Sequence, residues 1–145
     1  MLALLQRVLS AEVEVDNQII AKIDRGILVF LGIEKYDTEE QVDKIIKKIV
    51  NYRIFPDSDD KMNLSLLDSN LELLLVPQFT LAANTKKGNR PSFTNAKLPS
   101  ESLELFNLAL DKASNYNIKI QSGKFQADMQ VKLINNGPAT FMLSC

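Results

Sequence analysis

At 145 residues, 46% apolar and 24% charged, the sequence fits one soluble globular domain over 1–145, long enough to bury a real core. It has no histidine and one cysteine, Cys145, which excludes Ser-His-Asp and Cys-His catalysis within the chain, a disulfide framework, and zinc held by His or Cys. A net charge of −1 excludes bulk electrostatic attraction to nucleic acid, so any RNA contact must come from a local patch.

Met1 to Leu5 is apolar but meets Gln6-Arg7 at once, too short for a signal peptide or membrane span; Leu4, Gln6 and Val8 read as a strand. A cytoplasmic location is expected, with no membrane contact. Val13 and Val15 lead into Asp16-Asn17, a pair that tolerates left-handed backbone, so a tight hairpin turn is predicted before Ile19 and Ile20. Gly26 to Gly32 enclose an unbroken apolar run of strand length, as a strand buried on both faces would.

Thr38 with Gln41 three residues on is a capping box, and Glu39-Glu40 favour the positive end of a helix. Val42, Ile45, Ile46, Ile49 and Val50 then repeat at helical spacing, and Pro56 bars continuation. Leu71 to Val76 is a second buried-strand candidate running into Gln78-Phe79-Thr80. A second helix is predicted from Pro99-Ser100, with Leu103, Phe106, Leu110 and Ala113 facing inward. Strands follow at Ile118 to Ile120, Met129 to Leu133 and Thr140 to Leu143, with Asn136-Gly137-Pro138 as a turn between the last two. The expectation is an α+β fold of about seven strands in a mainly antiparallel sheet with two main helices.

Four segments raise chemical questions. Gly137-Pro138 is either a plain hairpin turn or a cis bond whose carbonyls project into a pocket. Gln78 and Thr80, where a buried strand ends, either satisfy loose backbone groups or mark a site. The stretch Thr85-Lys86-Lys87-Gly88-Asn89-Arg90-Pro91-Ser92-Phe93 is either a solvated loop or a phosphate cradle. Asp57-Ser58-Asp59-Asp60 opens like a calcium loop but lacks its later glycine and closing glutamate, so it reads as a surface turn. Cys145 has no basic partner and reads as a bystander. No metal and no cofactor are expected.

Taken together these segments resemble the D-aminoacyl-tRNA deacylase family. The resemblance runs essentially end to end, through Gln6-Arg7-Val8, Arg53-Ile54-Phe55, Lys61-Met62-Asn63-Leu64-Ser65, Gln78-Phe79-Thr80-Leu81, the basic loop, Gly123-Lys124-Phe125, Ala127-Asp128-Met129-Gln130-Val131 and Asn136-Gly137-Pro138. It implies a homodimer of a β-barrel-like α+β fold that hydrolyses the ester joining a D-amino acid, or mischarged glycine, to tRNA. It further implies that Gly137 and Pro138 form a Gly-cis-Pro chirality filter reaching into the other subunit, and that Arg7 holds this element. Gln78, Phe79 and Thr80 would form the pocket floor, with Phe125 and Met129 lining it. Lys86, Lys87 and Arg90 are the expected tRNA contacts, with no DNA partner.

The family usually carries Ser where this chain has Pro77, which removes a hydroxyl and a backbone donor together. A sister branch acting on L-alanyl-tRNA shares that proline but has Ala in place of Phe and a trans Gly-Pro; Phe79 sets this chain nearer the D-specific branch. Without histidine, the 2′-hydroxyl of the terminal adenosine would position or activate water while backbone N–H groups near Phe79 and Thr80 stabilise the oxyanion. The alternatives are a non-catalytic tRNA-binding or synthetase-associated editing module of the same fold, and a hydrolase of small D-amino acid esters.

Overall fold

Residues alternate between faces along Leu2–Val15 (β1): Ala3, Leu5 and Arg7 are buried, then Ala11, Val13 and Val15. The alternation breaks at Val8 and Leu9, where the pairing register is also irregular. The computed structural model describes residues 1–86 and 88–145. Gln18–Ile23 (β2) and Gly26–Gly32 (β3) both run antiparallel to β1, β2 beside its second half and β3 beside its first. The intervening turn has Asp16 and Asn17 at φ 51° and 61°, the left-handed region their side chains tolerate.

Glu39–Asn51 (α1) follows, its start fixed by the Thr38–Gln41 capping box and its buried face made of Val42, Ile45, Ile46, Ile49 and Val50. Each such aliphatic side chain contributes roughly 1.5–3 kcal/mol of apolar burial, which anchors the helix far more firmly than its intrinsic propensity. Two short strands, Phe55–Pro56 (β4) and Met62–Leu64 (β5), pair antiparallel. The four-residue helix Leu66–Ser69 (α2) comes next, then Glu72–Pro77 (β6), the helix Pro99–Ser114 (α3), Ile120–Ser122 (β7) and Gln130–Ser144 (β8).

The sheet order is β2-β1-β3-β6-β7, with β8 along the other edge of β1. The pairings of β1 with β2, β3 and β8 make the sheet mainly antiparallel, as expected, while β3, β6 and β7 add a parallel part to it. The cause lies in the connections, since α1 and α3 each carry the chain back across one face before the next strand. Parallel strands are buried on both sides. Ile27, Val29, Leu31, Leu73 and Leu75 face the helices, while Leu28, Leu74 and Val76 meet Val8, Ala11, Val13 and Ile23 on the inner face. The sheet curls until β2 lies against β6 and β7, giving a nearly closed barrel-like body.

Two points correct the sequence reading. A third helix, α2, is present, capped by a Ser65–Asp68 box. In α3 the inward residues are Ser102, Phe106, Ala109 and Ala113, while Leu103 is 39% exposed. No helix of the described residues is long and apolar enough to cross a membrane.

The Met1 ammonium is enclosed, donating to Asp37 at 2.7 Å, Glu34 at 3.0 Å and the Cys145 carbonyl at 3.1 Å. Burial, the largest single influence, pulls its pKa down; the hydrogen bonds and charges of Asp37 and Glu34 together outweigh it and hold the amine above its ordinary value. A raised folded-state pKa contributes stability that is fully present below the unfolded value, about 8, and is lost as pH rises through the folded value. Melting temperature is therefore expected to fall as pH rises above about 8, and Asp37→Asn should flatten that fall while lowering stability throughout. Identical pH slopes in the two proteins by calorimetry would refute the coupling.

Candidate active site

Where β6 ends, the chain turns into a 3-10 helix over Phe79–Ala82. Gln78 donates its N–H to the Leu31 carbonyl at 2.8 Å, and its carbonyl accepts from Leu81 N–H at 3.2 Å, so the turn is tied directly to β3. Gly32 makes this approach possible. A Cβ there would stand 2.8 Å from Leu81 Cβ and 3.2 Å from the Gln78 carbonyl oxygen. The first N–H groups of a 3-10 turn, here those of Phe79 and Thr80, have no acceptor inside it. The Gln78 side chain donates through Nε2 to Thr80 Oγ1.

Phe79 is 59% exposed and forms one wall of a cavity of about 230 Å³. Phe125, Ser102, Ala96, Lys97 and Pro99 complete much of its lining. A narrower cleft continues from it to Pro77, Gln78 and Leu31. The Phe79 ring leans on Phe93, with centroids 5.1 Å apart, and Phe125 leans on Phe106 at 6.3 Å. Two polar side chains on this wall are already engaged: Ser102 Oγ donates to the Lys97 carbonyl, and Lys97 Nζ contacts Glu101 at 3.3 Å and donates to the Lys35 carbonyl at 3.1 Å. The cavity therefore offers an apolar surface beside the start of the 3-10 turn, and no residue that lines it is a histidine or a carboxylate. A separate groove of about 330 Å³ beside β2 and β8 is walled by Glu12, Lys22 and Lys132. Those charges pair with one another at 3.5–3.8 Å, which leaves the aromatic cavity as the stronger candidate.

Pro77 closes β6 without breaking its ladder. The Leu75 carbonyl faces the β7 side and accepts from Gly123 N–H at 2.8 Å, so the Pro77 nitrogen, two residues on, faces that side too, where β7 has already stopped at Ser122. Met129 packs with the inner barrel cluster, and its Sδ and the Pro77 Cδ both stand within 3.3 Å of where a Cβ on Gly123 would be.

Gly137 and Pro138 sit elsewhere, joined by a cis bond. They are not a hairpin, which corrects the turn reading. Both halves of β8 pair with β1 in one direction, Gln6 with Thr140 and Val8 with Asn135, so residues 136–139 bulge opposite Arg7 alone. Arg7 is 8% exposed and fixes this bulge: Nε donates to the Asn136 carbonyl at 3.1 Å, Nη1 to the Ile54 carbonyl at 2.5 Å, and Nη2 points at the Gly137 carbonyl from 3.5 Å. Asn135 completes the frame, donating from Nδ2 to the carbonyls of Arg7 and Ala139. Pro138 and Gly137 themselves stand exposed in the single chain.

The predicted residues thus fall into separate groups. Gln78, Phe79 and Phe125 line the cavity and its cleft, Thr80 is joined to them through its hydrogen bond from Gln78 Nε2, and Arg7, Gly137 and Pro138 form the bulge. Lys86 and Arg90 lie exposed on a loop closed by the pairing of Asn84 with Ser92, while Lys87 lies outside the described residues. Asp57 accepts from Asp59 N–H, Lys61 N–H and Asn63 Nδ2, an ordinary surface turn. Ser102, Gly32 and Asn135 escaped the sequence reading. Of these only Gly32 left a trace, as the glycine that ends an apolar strand.

The family model described as D-Tyr-tRNA(Tyr) deacylase matches residues 4–144. A D-aminoacyl-tRNA deacylase of Pseudoalteromonas translucida is 55% identical, covering 99% of each chain. One of Pseudomonas putida (strain W619) is 52% identical over the same shares. Among solved structures, the c-Myc DNA Unwinding Element Binding Protein superposes with a TM-score of 0.95 at 38% identity, covering 100% of this chain and 99% of the other. A probable eukaryotic D-amino acid tRNA deacylase shares the fold with a TM-score of 0.86 at 17% identity, over 99% and 98% of the two chains. A family match over nearly the whole length, with relatives at half identity, decides the matter: this chain belongs to the D-aminoacyl-tRNA deacylase family, a family of hydrolases.

Proposed function

We propose that this protein hydrolyses the ester of D-aminoacyl-tRNA, and of glycine mischarged to tRNA, while rejecting L-aminoacyl esters. The aminoacyl group lies against Phe79 and Phe125, its carbonyl oxygen near the N–H groups of Phe79 and Thr80, which stabilise the oxyanion. An aminoacyl ester is already activated, and the 2′-hydroxyl of the terminal adenosine positions the attacking water, so no protein base is required. Two chains form a homodimer in which Gly137 and Pro138 of each fill the pocket of the other. Their carbonyls leave room for hydrogen but not for an L side chain, a discrimination made by clash. Glycine, with no side chain to clash, is admitted. Lys86, Lys87 and Arg90 meet tRNA phosphates, and the reading puts the protein in the cytoplasm.

One observation carries this reading: each chain has two exposed halves of a site. One is an apolar cavity at Phe79, beside the start of a 3-10 turn. The other is a bulge that Arg7 holds rigidly and that stands free in its own chain. Neither half explains itself alone. The test is to measure hydrolysis of tRNA charged with the D form, the L form of the same amino acid, and glycine. The D and glycyl esters should be cleaved and the L ester resisted by about 100-fold or more. Equal rates on D and L esters would overturn the filter.

A further inference from the structure

Tyr36 is 85% exposed, far more than any other large hydrophobic side chain among the described residues. It does not wave on a loose loop. The turn from Glu34 to Asp37 is closed by Asp37 N–H donating to the Glu34 carbonyl at 3.0 Å and Glu34 N–H donating to Asp37 Oδ2 at 2.6 Å. The Lys35 N–H is pinned to the Asn95 carbonyl at 2.8 Å. A ring standing clear of the chain on a fixed turn offers a face on which a planar group can stack.

What lies beside it suggests which group. A depression of about 340 Å³ runs between Tyr36, Lys35 and Thr94. It adjoins a second of about 400 Å³, which shares Lys35 and Thr94 and adds Phe93 and Lys97. That second depression shares Ala96 and Lys97 with the cavity at Phe79. A continuous track therefore leads from an exposed tyrosine, past Phe93, to the candidate active site. The local charge is balanced, with Lys35 as the cation left for an anion. Glu34 and Asp37 share the Met1 ammonium, at 3.0 and 2.7 Å, and Glu101 pairs with Lys97 at 3.3 Å. Lys35 Nζ lies 5.6 Å from the Tyr36 ring centroid and has no carboxylate partner among the described residues.

We propose that Tyr36 is a stacking platform for an unpaired nucleotide upstream of the terminal adenosine, with Lys35 beside its phosphate, so that the single-stranded end of the substrate RNA lies along this track. The proposal rests on the deacylase reading, because it assumes that the aminoacyl end occupies the Phe79 cavity. Aromatic side chains accept any base on their faces, and a cation alongside meets the backbone, which is how single strands are gripped without sequence readout. Tyr36 acts here as a positioning residue for the strand; it does not touch the ester.

The test compares Tyr36→Ala and Tyr36→Phe on two substrates: intact D-aminoacyl-tRNA, and D-aminoacyl-adenosine, which lacks the upstream nucleotides. Stacking on an aromatic ring contributes about 5- to 150-fold per base, so Tyr36→Ala should raise KM on the tRNA by about 10-fold with little change in kcat. The penalty on the tRNA should exceed that on D-aminoacyl-adenosine at least about five-fold, and Tyr36→Phe should restore the native KM. Equal penalties on both substrates, or an unchanged KM on tRNA, would overturn the platform. So would a change in oligomeric state in Tyr36→Ala, which would make Tyr36 a protein contact. If the wild type cleaves both substrates and Tyr36→Ala resembles it, only this proposal fails. A wild type inert toward both removes the deacylase reading as well.

Discussion

Gly137→Val is expected to fold as the native chain does and yet lose about 10- to 100-fold or more in kcat/KM on D-aminoacyl-tRNA. Within its own chain the position is open. A Cβ at Gly137 would meet only the Asn135 Oδ1 atom, at 3.5 Å, an ordinary contact, and its φ is not in the left-handed region. The single chain therefore leaves room for a side chain here, and the melting temperature should stay within a few degrees of wild type. If the bulge enters the other subunit's pocket, the added methyl groups occupy the space meant for the substrate's α-hydrogen. Overpacking of a fitted site costs about 1–3 kcal/mol or more, and here it falls on substrate binding. Unchanged melting with full activity would show that Gly137 faces solvent and that the filter lies elsewhere. Arg7 offers no such separation, because its guanidinium serves buried carbonyls of Ile54 and Asn136 as well as the bulge, so its loss would confound stability with function.

Local signals were legible in this sequence to the extent that one physical rule governed them. The Thr38–Gln41 box marked the start of α1 because the cap is settled by four consecutive residues. The Asp16-Asn17 turn and the doubly buried Gly26–Gly32 strand followed from steric tolerance and from hydrophobicity without alternation. α2 carried the same kind of capping box, at Ser65 and Asp68, but four residues leave no room for a periodic face to announce it. The inner face of α3 was misjudged at Leu103 because small residues, Ser102, Ala109 and Ala113, pack it against the body, and pattern reading favours large apolar side chains. Strand direction was out of reach. Whether β3 and β6 run parallel depends on the path of α1, which hydrophobicity does not encode.

The site divided along the same line. Gln78, Phe79 and Thr80 follow a buried strand directly, so their place at its end could be read, and Phe125 reaches the same cavity. Pairings between distant segments could not be read. Arg7 meets residues 136 and 137 through a bulge in which four residues of β8 stand against one of β1, and a Gly-Pro pair between two strand-like runs looks like a hairpin in one dimension. Phe93 was visible only as the aromatic of a basic loop. Its role against Phe79 depends on the fold of 84–92, where Asn84 and Ser92 exchange hydrogen bonds and return the chain to the cavity.

Replacing the terminal adenosine of D-aminoacyl-tRNA with 2′-deoxyadenosine is expected to slow deacylation by about 100- to 10,000-fold, the usual span for a positioned proton-transfer group. Thr80→Ala should cost less than about 10-fold. The contrast follows from what surrounds the cavity. Thr80 Oγ1 accepts a hydrogen bond from Gln78 Nε2, and no residue lining the cavity is a histidine or a carboxylate that could take its proton. A hydroxyl with no base nearby is a poor nucleophile at neutral pH. The Phe79 and Thr80 N–H groups belong to the backbone and survive the substitution, so the oxyanion donors persist. On the proposed reading, water is directed at the ester by the hydroxyl on the adjacent ribose carbon, delivered by the substrate itself. Single-turnover rates on the two tRNAs, with wild type and Thr80→Ala, separate the possibilities. A deoxy substrate cleaved at the native rate would remove the RNA hydroxyl from the mechanism. Loss of several orders of magnitude in Thr80→Ala, with an aminoacyl-enzyme trapped in the wild type, would establish a threonine nucleophile in its place.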